Sequence, residues 1–226
     1  MPPAPRRLTP IRNTHAPPPF DLDAAVAHLS RKDRTLARLI REVGPCRLEI
    51  APRQSPYEAL LESIVYQQLT SKAAATIYGR VCATFGSRRC PRPEKVADAS
   101  EELLRAAGLS RSKAAAVRDL ALKSLDGDIP TRRAAEKLSD ADLVERLTSV
   151  RGVGTWTVEM FLIFTLGRPD VLPLDDYGVR KGFARTFGRD VLPRPKELAA
   201  LGEKWRPFRT AASWYFWRAL DLDARA

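Results

Sequence analysis

A chain of 226 residues with 44% hydrophobic and 29% charged side chains can bury its own core without disulfide staples, as one large domain or two small ones. No apolar run approaches the roughly 20 residues of a membrane helix, and the Pro-rich N-terminus lacks the apolar stretch of a signal peptide, so the expected location is the cytoplasm, or the nucleoid for a DNA-binding protein. Lys and Arg number 38 against 27 Asp and Glu; the resulting +11 calls for a polyanionic partner, because cations placed on phosphates release counterions, while 3 irregularly spaced cysteines and 2 histidines fit neither a zinc site nor a four-cysteine iron–sulfur site.

Residues 1–19, rich in proline, are expected as a disordered or loosely draped tail. Asp21 caps a helix through AAVAHLSRK, and a second helix spans Arg34–Val43, stopped by Gly44-Pro45. CRLEIAP reads as a short strand or an extended connector. Ser55, Pro56 and Glu58 occupy the N-cap, first and third positions of a helix start. EALLESIVYQQL then sets Leu60, Leu61, Ile64 and Val65 on an apolar face. That helix breaks near Gln68–Thr70, and Ser71 caps the next, KAAATIYGRVCATFG, which ends on Gly86. Helices follow around Pro93–Ala97, Ser100–Ala107, Ser112–Leu125, Thr131–Lys137 and Ser139–Thr148. Another runs from Thr155 to Leu166, with Val158, Phe161, Leu162 and Thr165 facing inward. Asp170–Leu174 is extended. Asp175 or Asp176 caps a helix reaching Gly188; a Pro-led helix at Lys196–Leu201 and a long aromatic one in PFRTAASWYFWRALD follow. The class is therefore all-α, with no GxGxxG or GxxxxGK phosphate loop and no fixed-period repeat.

The most informative stretch is Leu147 to Val158, where a helix ends, two glycines flank one valine, and a new helix starts at once. Glycines at 152 and 154 permit positive φ and close backbone approach. Val153 tucks between the two helices. The N–H groups that open the second helix, at Gly152, Gly154 and Thr155, form an anion site that can hold a DNA phosphate without reading bases.

This hairpin is followed by Asp170-Val171-Leu172-Pro173-Leu174-Asp175-Asp176-Tyr177-Gly178, and preceded by Ser63-Ile64-Val65-Tyr66-Gln67-Gln68-Leu69-Thr70-Ser71-Lys72. Together with Trp205-Arg206-Pro207-Phe208-Arg209 and Ala212-Ser213-Trp214, these motifs resemble the helix–hairpin–helix (HhH-GPD) DNA glycosylase superfamily. The match is to its 3-methyladenine DNA glycosylase II branch, of the AlkA type, over about residues 50–220. With only about 50 residues before it, the chain looks like a compact form without the N-terminal sheet domain of longer members. The resemblance implies two helical lobes with a cleft that binds DNA and the base. One lobe is 20–54 with 167–226; the other is 55–166, carrying the hairpin at 147–158.

It also implies a reaction: hydrolysis of the N-glycosidic bond of an alkylated base in double-stranded DNA, by a monomer with no cofactor. A carboxylate stabilises an oxocarbenium-like transition state. The Asp-Asp-Tyr triplet matched as a unit puts that carboxylate at Asp176; matching Pro-x-Asp puts it at Asp175, and the other aspartate caps the helix or holds the loop. Trp156 stands where bifunctional members carry a lysine that forms a Schiff base, so no lyase activity is expected. Leu69 matches the wedge that fills the gap left by the extruded base, with Gln68 beside it. An aromatic pocket for a cationic base draws on Tyr66, Trp156, Tyr177, Trp214 and Trp217. Lys72, Arg151, Lys113 and Arg180 are phosphate-contact candidates. Carbonyls of Thr148, Val150 and Val153 are candidates for a Na+ or K+ ion at the hairpin. The lesion range stays open among 3-methyladenine, 7-methylguanine, ethenoadenine, 1-methyladenine and 3-methylcytosine. The competing readings are a non-catalytic structure-specific DNA binder, a bifunctional oxidised-base enzyme and an iron–sulfur glycosylase.

Overall fold

The computed structural model describes residues 15–52 and 54–222. Among them the regular elements are helices, and the single pairing of extended chain is one antiparallel bridge, Ala16 with Ile50. Contacts divide the chain into two compact units. One is Arg53–Val158; the other joins His15–Pro52 to Glu159–Ala226. The division falls inside the helix after the hairpin, between Val158 and Glu159, whereas the sequence reading drew it at 166/167.

In the discontinuous unit, α1 (Leu22–Lys32) is capped by Asp21, which accepts the N–H groups of Asp23 and Ala24. Asp33 caps α2 (Arg34–Val43) in the same way. CRLEIAP is a connector: among the described residues its one β-bridge is Ile50 with Ala16, and the Ala51 N–H donates to the Phe164 carbonyl at 2.7 Å. Of the stretch 1–19 read as a tail, 1–14 lie outside the described residues. From His15 onward that reading is corrected: Ala16 exchanges two backbone hydrogen bonds with Ile50 (3.0 and 2.8 Å), and Pro18 is buried.

The contiguous unit follows. Ser55 caps α3 (Pro56–Tyr66), whose Leu60, Leu61, Ile64 and Val65 are fully buried and which packs on α7 (Arg111–Leu125). Between them lie α4 (Ser71–Thr84), α5 (Pro93–Ala97) and α6 (Glu101–Ala106). The cap of α4 is Thr70, whose hydroxyl accepts the N–H of Ala73, so Ser71 is the first helical residue rather than the cap. Ser110 caps α7, which begins at Arg111, one residue before the expected Ser112. After α8 (Arg132–Ala135), α9 (Asp140–Thr148) opens with a reciprocal Ser139–Asp142 capping box.

The helix expected over Thr155–Leu166 is α-helical only for α10 (Thr155–Phe161) and widens into a π turn over Leu162–Leu166. Its inward residues Val158, Phe161, Leu162 and Thr165 are buried, and the wider turn leaves Phe164 partly exposed. Gly167 ends it at φ 68°, where a β-carbon would stand 2.4 Å from Pro19 Cδ. Three helices complete the discontinuous unit: α11 (Tyr177–Thr186), α12 (Pro195–Gly202) and α13 (Arg209–Asp221). α11 and α13 meet backbone to backbone, because a β-carbon on Gly182 would lie 1.9 Å from the Phe216 carbonyl oxygen. Phe183, Trp205, Tyr215 and Phe216 fill the core around that crossing.

Candidate functional site

The contiguous unit builds its candidate site from backbone. α9 stops at Thr148; Val150 and Val153 are buried, and the Val153 N–H donates to the Val150 carbonyl at 3.0 Å. Two hydrophobic anchors thus hold the turn while Arg151, Gly152, Gly154 and Thr155 stay exposed. The Gly154 carbonyl accepts from Thr157 and Val158, which starts α10. The N–H groups of Gly154 and Thr155 have no acceptor among the described residues, so two donors at a helix start point outward, the arrangement an anion needs. The glycines do different work, which corrects the expectation that both serve positive φ. Gly152 adopts φ 77°; Gly154 does not adopt positive φ, and a β-carbon there would meet nothing within 4 Å. A β-carbon at Gly154 would therefore meet no protein atom, and its absence leaves the approach to those donors open.

Leu69, 40% exposed, projects from the α3–α4 break beside exposed Gln68 and Lys72. Tyr66 is half-buried with its ring edge-on to Tyr78, and Trp156 is 46% exposed at the first turn of α10. Lys113 is not a surface cation: its ammonium donates to the carbonyls of Val65 and Gln67, at 2.8 and 2.6 Å. It completes the C-terminus of α3, and burial holds its pKa below the usual lysine value. That removes it from the phosphate-contact candidates. Arg180, in the other unit, is similarly held by the Pro193 carbonyl at 2.9 Å.

The discontinuous unit builds its own candidate site from side chains. Asp176 is 9% exposed and is the N-cap of α11. Its Oδ1 accepts the Val179 N–H at 2.6 Å and Trp217 Nε1–H at 2.9 Å. The expectation that the aspartate other than Asp176 does the capping is therefore corrected: Asp175 is exposed, and Asp176 both caps and lies buried. Trp217 stacks on Phe164, with centroids 5.6 Å apart and planes 28° apart. Gly178 makes this fit possible, since a β-carbon there would stand 2.9 Å from Trp217 Cδ1 and 3.1 Å from Asp176 Oδ1.

Tyr177 is 63% exposed under Lys181, which lies 5.8 Å above its ring. Trp214 is not brought to this group: its ring faces Tyr215 and Arg218, and it lines a recess with Val43, Pro45 and Arg47 that includes none of the other candidates. The N-terminal turn of α13 anchors the chain leading to Asp176. Arg209 pairs with Asp170 at 2.7 Å, the Val171 N–H donates to Thr210 Oγ1 at 2.9 Å, and Ser213 donates to the Val171 carbonyl at 3.2 Å.

Glu159 escaped the sequence reading. Burial, and then the charges of Asp175 and Asp176, push its carboxyl up to about 7. The one signal was an acid inside the apolar run VEMFLIFTLG. Phe164 and Gly178 carried no signal, because their partner Trp217 is distant in sequence.

Comparison with known proteins bears on what such a pair of sites does. A family model described as HhH-GPD superfamily base excision DNA repair protein matches residues 61–207. DNA-3-methyladenine glycosylase 1 of Schizosaccharomyces pombe is 39% identical over 202 residues, covering 89% of each chain. The structure of the 3-methyladenine DNA glycosylase of the same yeast, in complex with abasic DNA, superposes with a TM-score of 0.76 at 38% identity, over 86% of this chain and 95% of that one. A DNA-3-methyladenine glycosidase from Bacillus halodurans superposes with a TM-score of 0.80 at 31% identity, over 94% of each chain.

Proposed function

This chain belongs to the HhH-GPD superfamily of base excision DNA repair proteins, and on that premise we propose that it is a monofunctional DNA-3-methyladenine glycosylase. It hydrolyses the N-glycosidic bond of alkylated purines such as 3-methyladenine and 7-methylguanine in double-stranded DNA. The observation that carries the reading is Asp176: a buried carboxylate, fixed on one oxygen by a helix N-terminus and an indole N–H, beside a stacked aromatic pair.

The chemistry runs as follows. Hairpin N–H groups hold one backbone phosphate, and Leu69 enters the stack as the damaged nucleotide swings out. An alkylated purine carries positive charge, so its glycosidic bond is already weak and its ring stacks well on the Trp217–Phe164 pair. As the bond breaks, the electron pair leaves with the base and cationic charge develops at C1′. The Asp176 carboxylate opposes that charge in a water-poor setting, where such an interaction is worth several kcal/mol. Water then adds to C1′ and gives up a proton, leaving an abasic sugar. Trp156 offers an indole where a lyase needs an amine, so the strand stays intact.

The reading includes a monomer that works in the cytoplasm on the nucleoid. The net +11 supports only its work on DNA. It also includes a Na+ or K+ ion on the carbonyls of Thr148, Val150 and Val153. The Val150 carbonyl accepts a single hydrogen bond, from Val153, which leaves a lone pair for such an ion. The ion would neutralise phosphate charge at the hairpin. Base release from duplexes each carrying one lesion tests the function. Free methylated purine with an uncleaved strand is the expected product. Trapping of a covalent adduct by borohydride would contradict it.

A further inference from the structure

The loop that carries Leu69 is held by contacts that the proposed roles do not use. Gln68 has φ 57° and is the one non-glycine residue with positive φ among the described residues. A residue with a β-carbon stays there only when its surroundings over-determine it. On the α3 side, Lys113 donates to the Val65 and Gln67 carbonyls. Directly across, Gln67 Nε2–H donates to the carbonyl of Gly152, at 2.9 Å. Gly152 is the positive-φ residue of the hairpin, so a single side chain ties the wedge loop to the phosphate-binding turn.

The hairpin is held by the same helix. Asp119 Oδ2 accepts the Arg151 N–H at 2.8 Å and Lys123 Nζ at 3.0 Å, and Lys123 also donates to the Ser149 carbonyl. Residues 113, 116, 119 and 123 recur at three- and four-residue spacing, which is one face of α7. Ala116 on that face is the nearest atom to where a Gly152 β-carbon would stand, at 3.6 Å.

We propose that Gln67 and Lys113 are positioning residues that brace the wedge loop against the hairpin, with the polar face of α7 as the common support. Leu69 then meets the base stack at a fixed spacing from the gripped phosphate. A wedge unstacks bases only if its own backbone yields less than the DNA does. Charge-assisted bonds to two carbonyls and a side-chain strut supply that stiffness. The inference rests on the wedge and hairpin roles proposed above.

The test measures two affinities, for a duplex containing a tetrahydrofuran abasic analogue and for the same duplex intact, with 2-aminopurine beside the analogue to report unstacking. Gln67→Ala is expected to lower the abasic-to-intact affinity ratio about fivefold, as loss of one strut bond should, and to damp the fluorescence rise. Intact-duplex affinity should stay unchanged, and the melting temperature should fall by no more than the loss of one half-exposed hydrogen bond accounts for. Lys113→Met should shift the ratio in the same direction. In a Leu69→Ala background, Gln67→Ala should cost nothing further, since the brace acts only through the wedge. Additive losses, or an equal loss of intact-duplex affinity, would overturn the brace. Base release by the unaltered protein is scored separately: its absence alongside a non-additive pair refutes the glycosylase reading and leaves the brace standing.

Discussion

In the proposed function, the hairpin and the Asp176 site achieve recognition by opposite means. The hairpin presents backbone donors, while two buried valines and a glycine at positive φ only shape the turn. Asp176 is proposed to act through side-chain charge, and backbone and glycine seat it: the Val179 N–H, the missing β-carbon of Gly178, the indole of Trp217. The difference follows from the targets. A phosphate is the same at every nucleotide, so a fixed array of N–H groups suffices. A cation that exists only in the transition state needs a charge held in place before it forms.

The comparison breaks most sharply at Asp176. Asp176→Asn keeps an oxygen that can accept from both Val179 and Trp217, and asparagine caps helices as well as aspartate. Single-turnover base release should fall by about 100- to 1,000-fold, the range seen when one transition-state stabiliser is lost, while the melting temperature holds. The loss should be smallest for 7-methylguanine, which leaves most readily.

Gly178→Ala ranks second. The added methyl meets Trp217 Cδ1 and Asp176 Oδ1, so the indole must move and release should fall about tenfold, or roughly 1.4 kcal/mol. Duplex affinity, read by fluorescence anisotropy, should not change.

The two hairpin glycines should separate in the third experiment. Gly152→Val forces a β-branched residue into positive φ and should cost about 1–3 kcal/mol of stability in denaturant unfolding. Gly154→Val has room for its side chain and should leave stability alone, yet weaken binding to damaged and intact duplexes alike.

A smaller effect concerns pH. The Glu159 carboxyl is raised from 4.5 to about 7 in the fold, so the folded state binds more protons than the unfolded state between those values. Stability should therefore decline as pH rises through that window and level off above it. Glu159→Gln should flatten the decline, measured as melting temperature against pH. Smallest of all, exposed Asp175→Asn should change stability by less than about 0.5 kcal/mol and leave release intact.

How far each region was legible follows from the sequence distance of its parts. Helices and their caps came through nearly residue by residue, because Asp21, Ser55 and Ser139 bond to N–H groups two or three positions away. The hairpin was legible for the same reason, though not the division of labour between Gly152 and Gly154, which depends on φ. The π turn after Phe161 left no pattern, since its inward residues also suit an ordinary helix. At the acid site, a cap at Asp175 or Asp176 was legible because its bond, to Val179, is local. The bond of Asp176 to Trp217 forty-one residues on and the proximity of Glu159 exist only once α10, α11 and α13 are packed. Lys113 shows the converse: residue type suggested a phosphate contact, and the fold engages its ammonium with two carbonyls at the end of α3.

The central claim is that the hairpin binds and Asp176 cleaves, as separable functions. The most direct test is single-turnover base release from one 7-methylguanine duplex, titrated with the unaltered protein, Asp176→Asn and Gly154→Val. The account predicts that Asp176→Asn lowers the maximal rate with the half-saturating concentration unchanged, and that Gly154→Val raises the half-saturating concentration with the maximal rate unchanged. A variant that moves both quantities together, or an Asp176→Asn protein with full maximal rate, would contradict it.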